Sequence, residues 1–249
     1  MGAHRSCGCA EVGPRLTSPP PIGRVYGRRR SRRLKGRKAE LFDSGLDRLA
    51  IRLPEPPARL DPPALFQPRP AKVWLEIGFG GGEHLAAQAV AHPDVGLIGC
   101  EPFINGVSNL LLLLEEAGSE NVRIFSEDAR LLLQSLPRGS IDRAFLLFPD
   151  PWPKRRHTER RFANQEALDL LAEVLSEGAE LRVATDHFIL KEWMPPRITE
   201  HGCFRLENRW TERPEGWPPT RYESKALAAG RTPIYLTYRR EPRGPTDEA

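Results

Sequence analysis

Residues 74–85 read WLEIGFGGGEHL, a short apolar run, a glycine-rich turn and the opening of a helix. An apolar strand that runs into glycines lets the backbone turn sharply and approach a ligand closely, which is how open α/β sheets bind nucleotides at strand ends. The spacing narrows the ligand. A dinucleotide fingerprint needs a third glycine in G-x-G-x-x-G, and Glu83 occupies that position. What is present is Gly78-x-Gly80-x-Gly82 preceded by Glu76, with no cradle for a pyrophosphate.

Outward from this turn, apolar runs and helical stretches alternate. Strands are expected at Val73–Ile77, Gly96–Cys100, Asn121–Phe125, Ile141–Phe148, Glu180–Ala184, Phe204–Trp210 and Pro233–Arg239. Helices are expected at Glu83–Ala91, Asn105–Ala117, Ala129–Leu136, Asn164–Ser176 and Phe188–Thr199. This alternation implies a Rossmann-like, doubly wound α/β fold: a mostly parallel seven-stranded sheet with helices on both faces and an antiparallel edge from the last two strands. The domain spans 71–240. Before it lie a Pro/Gly-rich leader at 1–23, expected to be disordered, and a basic arm with a proline-rich linker at 24–70; residues 241–249 form a tail expected to be disordered.

Charge is unevenly placed. Net charge is +4, and of 37 basic residues nine lie in RVYGRRRSRRLKGRK (Arg24–Lys38), leaving 28 against 33 acidic ones elsewhere. Such an arm suits phosphate. Four cysteines (Cys7, Cys9, Cys100 and Cys203) give neither a disulfide framework nor a zinc pattern, so no metal is expected and a reducing cytoplasm fits. The longest apolar run, Leu110–Leu114, falls far short of the roughly 20 residues that span a bilayer, so no membrane partner is expected.

Two further acids end strands. Glu101 closes the second strand, 23 residues beyond Gly78, where a carboxylate accepts from ribose hydroxyls. Asp128 closes the third, where it can accept from an adenine amino group or cap a helix. An acid-lined pocket suits a cationic sulfonium cofactor, S-adenosyl-L-methionine, better than an anionic dinucleotide.

The fourth strand leads into AFLLFPDPWPKRRHTERRF (144–162). Its prolines stiffen a loop that holds Asp150 beside the cofactor. Trp152 offers a stacking face for a base, and the basic residues that follow offer phosphate contacts. The alternative is a proline turn ahead of a solvated basic helix.

The chain resembles the bacterial tRNA (guanine-N7)-methyltransferase family over about residues 24–240. The resemblance rests on LEIGFGGGEH, GCEPF, EDA, FPDPWPKRRHTERRF, VATDH and TRYE, in the family's order and spacing. It implies transfer of a methyl group from S-adenosyl-L-methionine to N7 of a tRNA guanosine, the one in the variable loop, by a monomer or homodimer. It implies cofactor contacts from Glu76, Gly78, Gly80, Gly82, Glu101, Asp128 and Asp150, with Asp150 also the catalytic residue. Lys154, Asp186, Thr220, Arg221, Tyr222 and Glu223 would hold the substrate, Asp186 and Glu223 accepting from the guanine edge. Arg155, Arg156, His157, Arg160 and Arg161 would contact RNA. Departures from the family pattern are Glu159, usually basic or neutral, and Arg221, often lysine. Two other readings are an exocyclic amino methyltransferase and a non-enzymatic RNA-binding protein on this fold; a nicotinamide oxidoreductase is disfavoured by Glu83.

Overall fold

A computed structural model describes residues 29–31, 33–55 and 58–242. The leader, Cys7, Cys9, three arginines of the arm (Arg24, Arg28 and Arg32) and residues 243–249 of the tail lie outside them.

The arm enters as two short helical segments, α1 (Arg37–Glu40) and α2 (Leu46–Leu49), joined by a π-helical turn at Leu41–Gly45. After a 3-10 turn at Pro62–Leu65 come β1 (Lys72–Ile77), α3 (Glu83–Ala91), β2 (Val95–Cys100), α4 (Ile104–Ala117), β3 (Val122–Phe125), α5 (Ala129–Ser135) and β4 (Ile141–Leu147). A 3-10 helix at Arg155–Arg160 precedes α6 (Gln165–Val174), β5 (Leu175–Thr185), α7 (Phe188–Glu200), β6 (Phe204–Trp210), α8 (Arg221–Ala228) and β7 (Ile234–Arg240).

The strands form one seven-stranded sheet in the order β3-β2-β1-β4-β5-β7-β6. All are parallel except β7, which is antiparallel to both β5 and β6. The expected antiparallel edge is therefore present, with β7 inserted inside it and β6 outermost. The other difference is at β5, which begins five residues before the expected Glu180. Leu175 pairs with Ile141, and the register then shifts so that Glu180 faces Arg143. Gly178, at φ 75°, supplies the turn that this irregularity needs.

Successive residues of a strand face opposite sides, so each strand feeds two cores. Val73, Leu75 and Ile77 pack with α5, α6 and α7, alongside Leu132, Leu171 and Leu190. Trp74, Leu97 and Phe145 face α3 and α4, alongside Leu85, Leu110 and Leu114. The arm and linker join these cores: Leu41 and Leu49 are buried on the α3/α4 side, Ile51 and Phe66 on the other. The Ile51 amide donates to the Ile124 carbonyl of β3 at 2.8 Å. Residues 24–70 are thus, where described, continuous with the sheet's packing. Among the described residues no helix is long and apolar enough to cross a membrane, and no group of three or more His, Cys, Asp and Glu is placed to hold a metal ion.

Candidate functional site

From β1 the chain winds outward to β2 and β3, then crosses back to β4 on the other side of β1. The connections after β1 and β4 therefore diverge to opposite faces and open a crevice at the strands' carboxyl ends. A cleft of about 410 Å³ lies there, lined by Gly78, Gly80, Glu101, Asp128, Asp150 and Tyr222 among others. That volume is in the range of small-molecule sites, about 300–1,000 Å³.

The glycine-rich turn has left-handed φ angles at Gly78, Gly80 and Gly82 (71°, 58° and 80°). At Gly80 sterics adds to this, because a Cβ would stand 2.8 Å from Cε2 of Tyr222. The turn is tied to β2, with the Gly78 amide donating to the Cys100 carbonyl at 2.8 Å. Gly106, in the first turn of α4, lets that helix pack against the turn: a methyl there would sink into the Gly80 carbonyl oxygen. Asn109 of α4 donates to the Gly81 carbonyl at 2.7 Å and accepts from Nζ of Lys38 at 2.6 Å, joining arm, helix and turn.

Glu101 accepts from the amides of Gly80 (2.8 Å) and Phe103 (2.9 Å), one on each oxygen. A carboxylate has about four acceptor positions, so two are left, enough for a vicinal diol. Burial pushes its pKa up to about 7 against these two hydrogen bonds, and the charges of Asp150 and Glu76 add to the shift. Asp128 lines the cleft as expected but also caps α5, accepting from the Arg130 amide at 3.0 Å, and takes the Arg130 guanidinium on both oxygens. Glu76 differs from the other two acids. It is 2% exposed, sits behind the turn and meets His84 Nδ1 at 2.7 Å. The alternation of β1 explains this, since Glu76 shares the Trp74 face toward α3.

The loop after β4 is strained at both ends. Phe148 and Trp152 have φ angles of 51° and 40°, in a region that costs non-glycine residues about 1–3 kcal/mol each. The Phe148 amide donates to the Ala184 carbonyl of β5 at 2.7 Å. The other end is held by Arg161, which donates to the carbonyls of Pro151 (3.0 Å) and Trp152 (3.2 Å). Arg161 was expected among the RNA contacts. It is 5% exposed, with its guanidinium 5.0 Å from the centre of the Trp193 ring, and in this structure it clamps the loop. Asp150 sits at the cleft mouth, open to solvent on one side, yet its surroundings exclude enough water that burial raises its pKa. Trp152 is bracketed by Arg160, 5.1 Å from its centre, and by the edge of His157 at 5.7 Å. Lys154, Arg155 and Arg156 are exposed. The imidazole of His157 is held below its ordinary pKa by burial and by Arg160, Arg156 and Lys154.

Thr220–Glu223 start α8 as a capping box, Thr220 Oγ1 accepting from the Glu223 amide (2.9 Å) and Glu223 accepting from the Thr220 amide (3.2 Å). The box aims Tyr222 over Gly80, while Arg221 is exposed. Glu223 is buried and also accepts from Arg213 (2.9 Å) and the Tyr235 hydroxyl (2.6 Å). These contacts engage both oxygens of Glu223 with donors of the protein itself. Asp186 pairs with Arg231, an interaction not anticipated from the sequence. Gly106 was also missed; a glycine in a helix, where alanine is better by about 1 kcal/mol, was its signal.

Residues 70–236 match the family described as "Putative methyltransferase". The tRNA (guanine-N(7)-)-methyltransferase of Rhodospirillum rubrum is 49% identical over 232 residues, covering 90% of this chain and 91% of that one. The protein of the same name from Paramagnetospirillum magneticum is 46% identical over 248 residues, covering 98% and 100%. The chain belongs to the tRNA (guanine-N(7)-)-methyltransferase family. Among solved structures, the 16S rRNA methyltransferase KamB superposes with a TM-score of 0.53 at 18% identity, covering 72% of this chain and 94% of that one. At that identity the likeness is one of fold.

The family's methyl donor, S-adenosyl-L-methionine, fits the residues present. The bare backbone of the turn gives close approach, Glu101 has acceptors for a ribose diol, and the carboxylates of Glu101, Asp128 and Asp150 line the same cleft. Gly106→Ala should weaken cofactor affinity at least tenfold, by calorimetry, with the circular dichroism spectrum unchanged; wild-type affinity would show that the turn–helix contact does not shape the cofactor site. As a ribose acceptor, Glu101 would bind best when ionised. Cofactor affinity should therefore fall as pH drops below about 7, approaching tenfold per pH unit. Glu101→Gln should flatten this profile, and a flat wild-type profile would count against Glu101 as the ribose acceptor.

Proposed function

We propose that this chain transfers a methyl group from S-adenosyl-L-methionine to N7 of the variable-loop guanosine of tRNA, with Asp150 as the catalytic residue. The observation that carries the reading is the position of Asp150: on a strained, clamped loop at the mouth of the cofactor cleft, beside the aromatic face of Trp152. Membership of the family gives the reaction; the variable-loop position is what the family resemblance implies.

The donor supplies an electrophilic methyl on a sulfonium. Guanine N7 has a lone pair and no proton, so its attack needs no general base, and His157 and His187 have no proton to remove. The protein's contribution is placement, holding N7 in line at near-attack distance. As the N7–carbon bond forms and the carbon–sulfur bond breaks, positive charge grows on the guanine. The ionised Asp150 stabilises it there, as a fixed charge already in place before the reaction. Trp152, with Arg160 against it, gives the purine a face to stack on. Lys154, Arg155 and Arg156, together with the exposed Arg30, Arg33 and Lys35 of the arm, meet phosphates. Asp186, paired with Arg231, and the exposed Arg221 complete the proposed set of substrate contacts, as the family resemblance implies.

Asp150→Asn should lower the single-turnover rate by about 100- to 1,000-fold, the usual effect of losing one such electrostatic partner, and leave cofactor affinity within a few-fold. Full turnover in that variant would remove the role. The wild-type rate should fall on acidification from a higher pH than an ordinary carboxylate dictates, because burial raises the Asp150 pKa. A tRNA transcript carrying 7-deazaguanosine in place of guanosine should accept no methyl group. Methylation of that transcript would favour the exocyclic amino reading.

A further inference from the structure

Phe188 is 72% exposed at the start of α7. An isolated exposed aromatic is ordinary, but the surroundings of this one are not. Its ring is stacked on His187, centroids 4.9 Å apart and planes 21° apart. His187 is fixed in turn: its Nδ1 accepts from the Ile189 amide at 3.3 Å, and its own amide donates to Thr185 Oγ1 at 3.2 Å. The pair follows directly on β5, the neighbour of β4, at the carboxyl edge where the cleft opens. Its position at the end of β5, next to β4 in the sheet, puts it on the same edge as the Asp150 loop. His187 feels the charges of Asp186, Arg231 and Arg161, and Arg161 is the clamp of the Asp150 loop. Arg231 neutralises Asp186, so the ground beside Phe188 does not repel a phosphate.

The geometry points to a base-stacking shelf: Phe188, held flat on His187, takes an RNA base displaced from its own stack next to the methylated guanosine. This rests on the methyltransferase reading above and adds a second aromatic contact, distinct from Trp152. Proteins that read single-stranded RNA splay bases onto such faces, and any base serves because each has a π-face. A shelf for the neighbouring base would hold the loop open while the target guanosine lies against Trp152.

The test uses the full-length protein with Phe188→Ala, Phe188→Leu and Phe188→Trp. Because the ring is outside the core, all three should keep the wild-type melting temperature. Phe188→Ala should raise both the KM and the dissociation constant for tRNA by about 5- to 100-fold, the loss expected for one base–aromatic stack. Its kcat and S-adenosyl-L-methionine affinity should stay within twofold. Phe188→Trp should restore tRNA affinity and Phe188→Leu should not, since leucine keeps the apolar area without the π-face. Wild-type tRNA affinity in Phe188→Ala, or full rescue by leucine, overturns the shelf. So does light scattering that shows a wild-type dimer dissociated by Phe188→Ala, which gives the face to a second copy. Tight tRNA binding sensitive to Phe188, with no methyl transfer by the wild type, would uphold the shelf and overturn the activity instead.

Discussion

Everything at the site depends on the sheet changing its direction of growth at β1. Strands β2 and β3 are added on one side and β4 and β5 on the other, so the connections after β1 and β4 part company over the carboxyl edge. The glycine-rich turn and the Asp150 loop are those two connections. In the proposed function one holds the methyl donor and the other faces the base; the crevice between them exists because neither crossover can cover it. Arm residues reinforce one wall: Lys38 reaches Asn109, which in turn holds the Gly81 carbonyl.

The electrostatics follow from that convergence. Glu101 and Asp150 are brought near each other with Glu76 behind them, and removal of water raises the cost of their charges. A cation relieves this and an anion worsens it, which is a physical reason for a sulfonium ligand over a pyrophosphate. The strain at Phe148 and Trp152 is held by a few fixed contacts, chiefly the buried Arg161. A loop held in an unfavourable conformation from beneath has few alternatives, and that restriction fixes the position of Asp150, as its proposed role requires.

Features dictated locally were legible from the residues. Glycines at 78, 80 and 82 mark positions where the backbone takes φ angles other residues avoid, and acids at strand ends follow from element boundaries alone. Features decided by tertiary contact were not. Nothing local distinguishes Arg161 from the basic residues before it; Trp193, from α7, determines that it turns inward. The insertion of β7 between β5 and β6 is a choice of partner, invisible in either strand. Other differences had signals that went unused. Alternation along β1 places Glu76 on the α3 face, and Thr-x-x-Glu at 220–223 is a helix-start signature that accounts for Glu223 structurally.

A target that carries no proton needs no base at the site. The most direct measurement is to label bulk tRNA with methyl-labelled S-adenosyl-L-methionine and the wild-type protein, then map the modified nucleoside by cleavage at the labilised base. The label should co-migrate with N7-methylguanosine, and the chain should be cut at a single variable-loop position. Label retained on a base that resists cleavage, as an exocyclic amino methylation would leave it, contradicts the account.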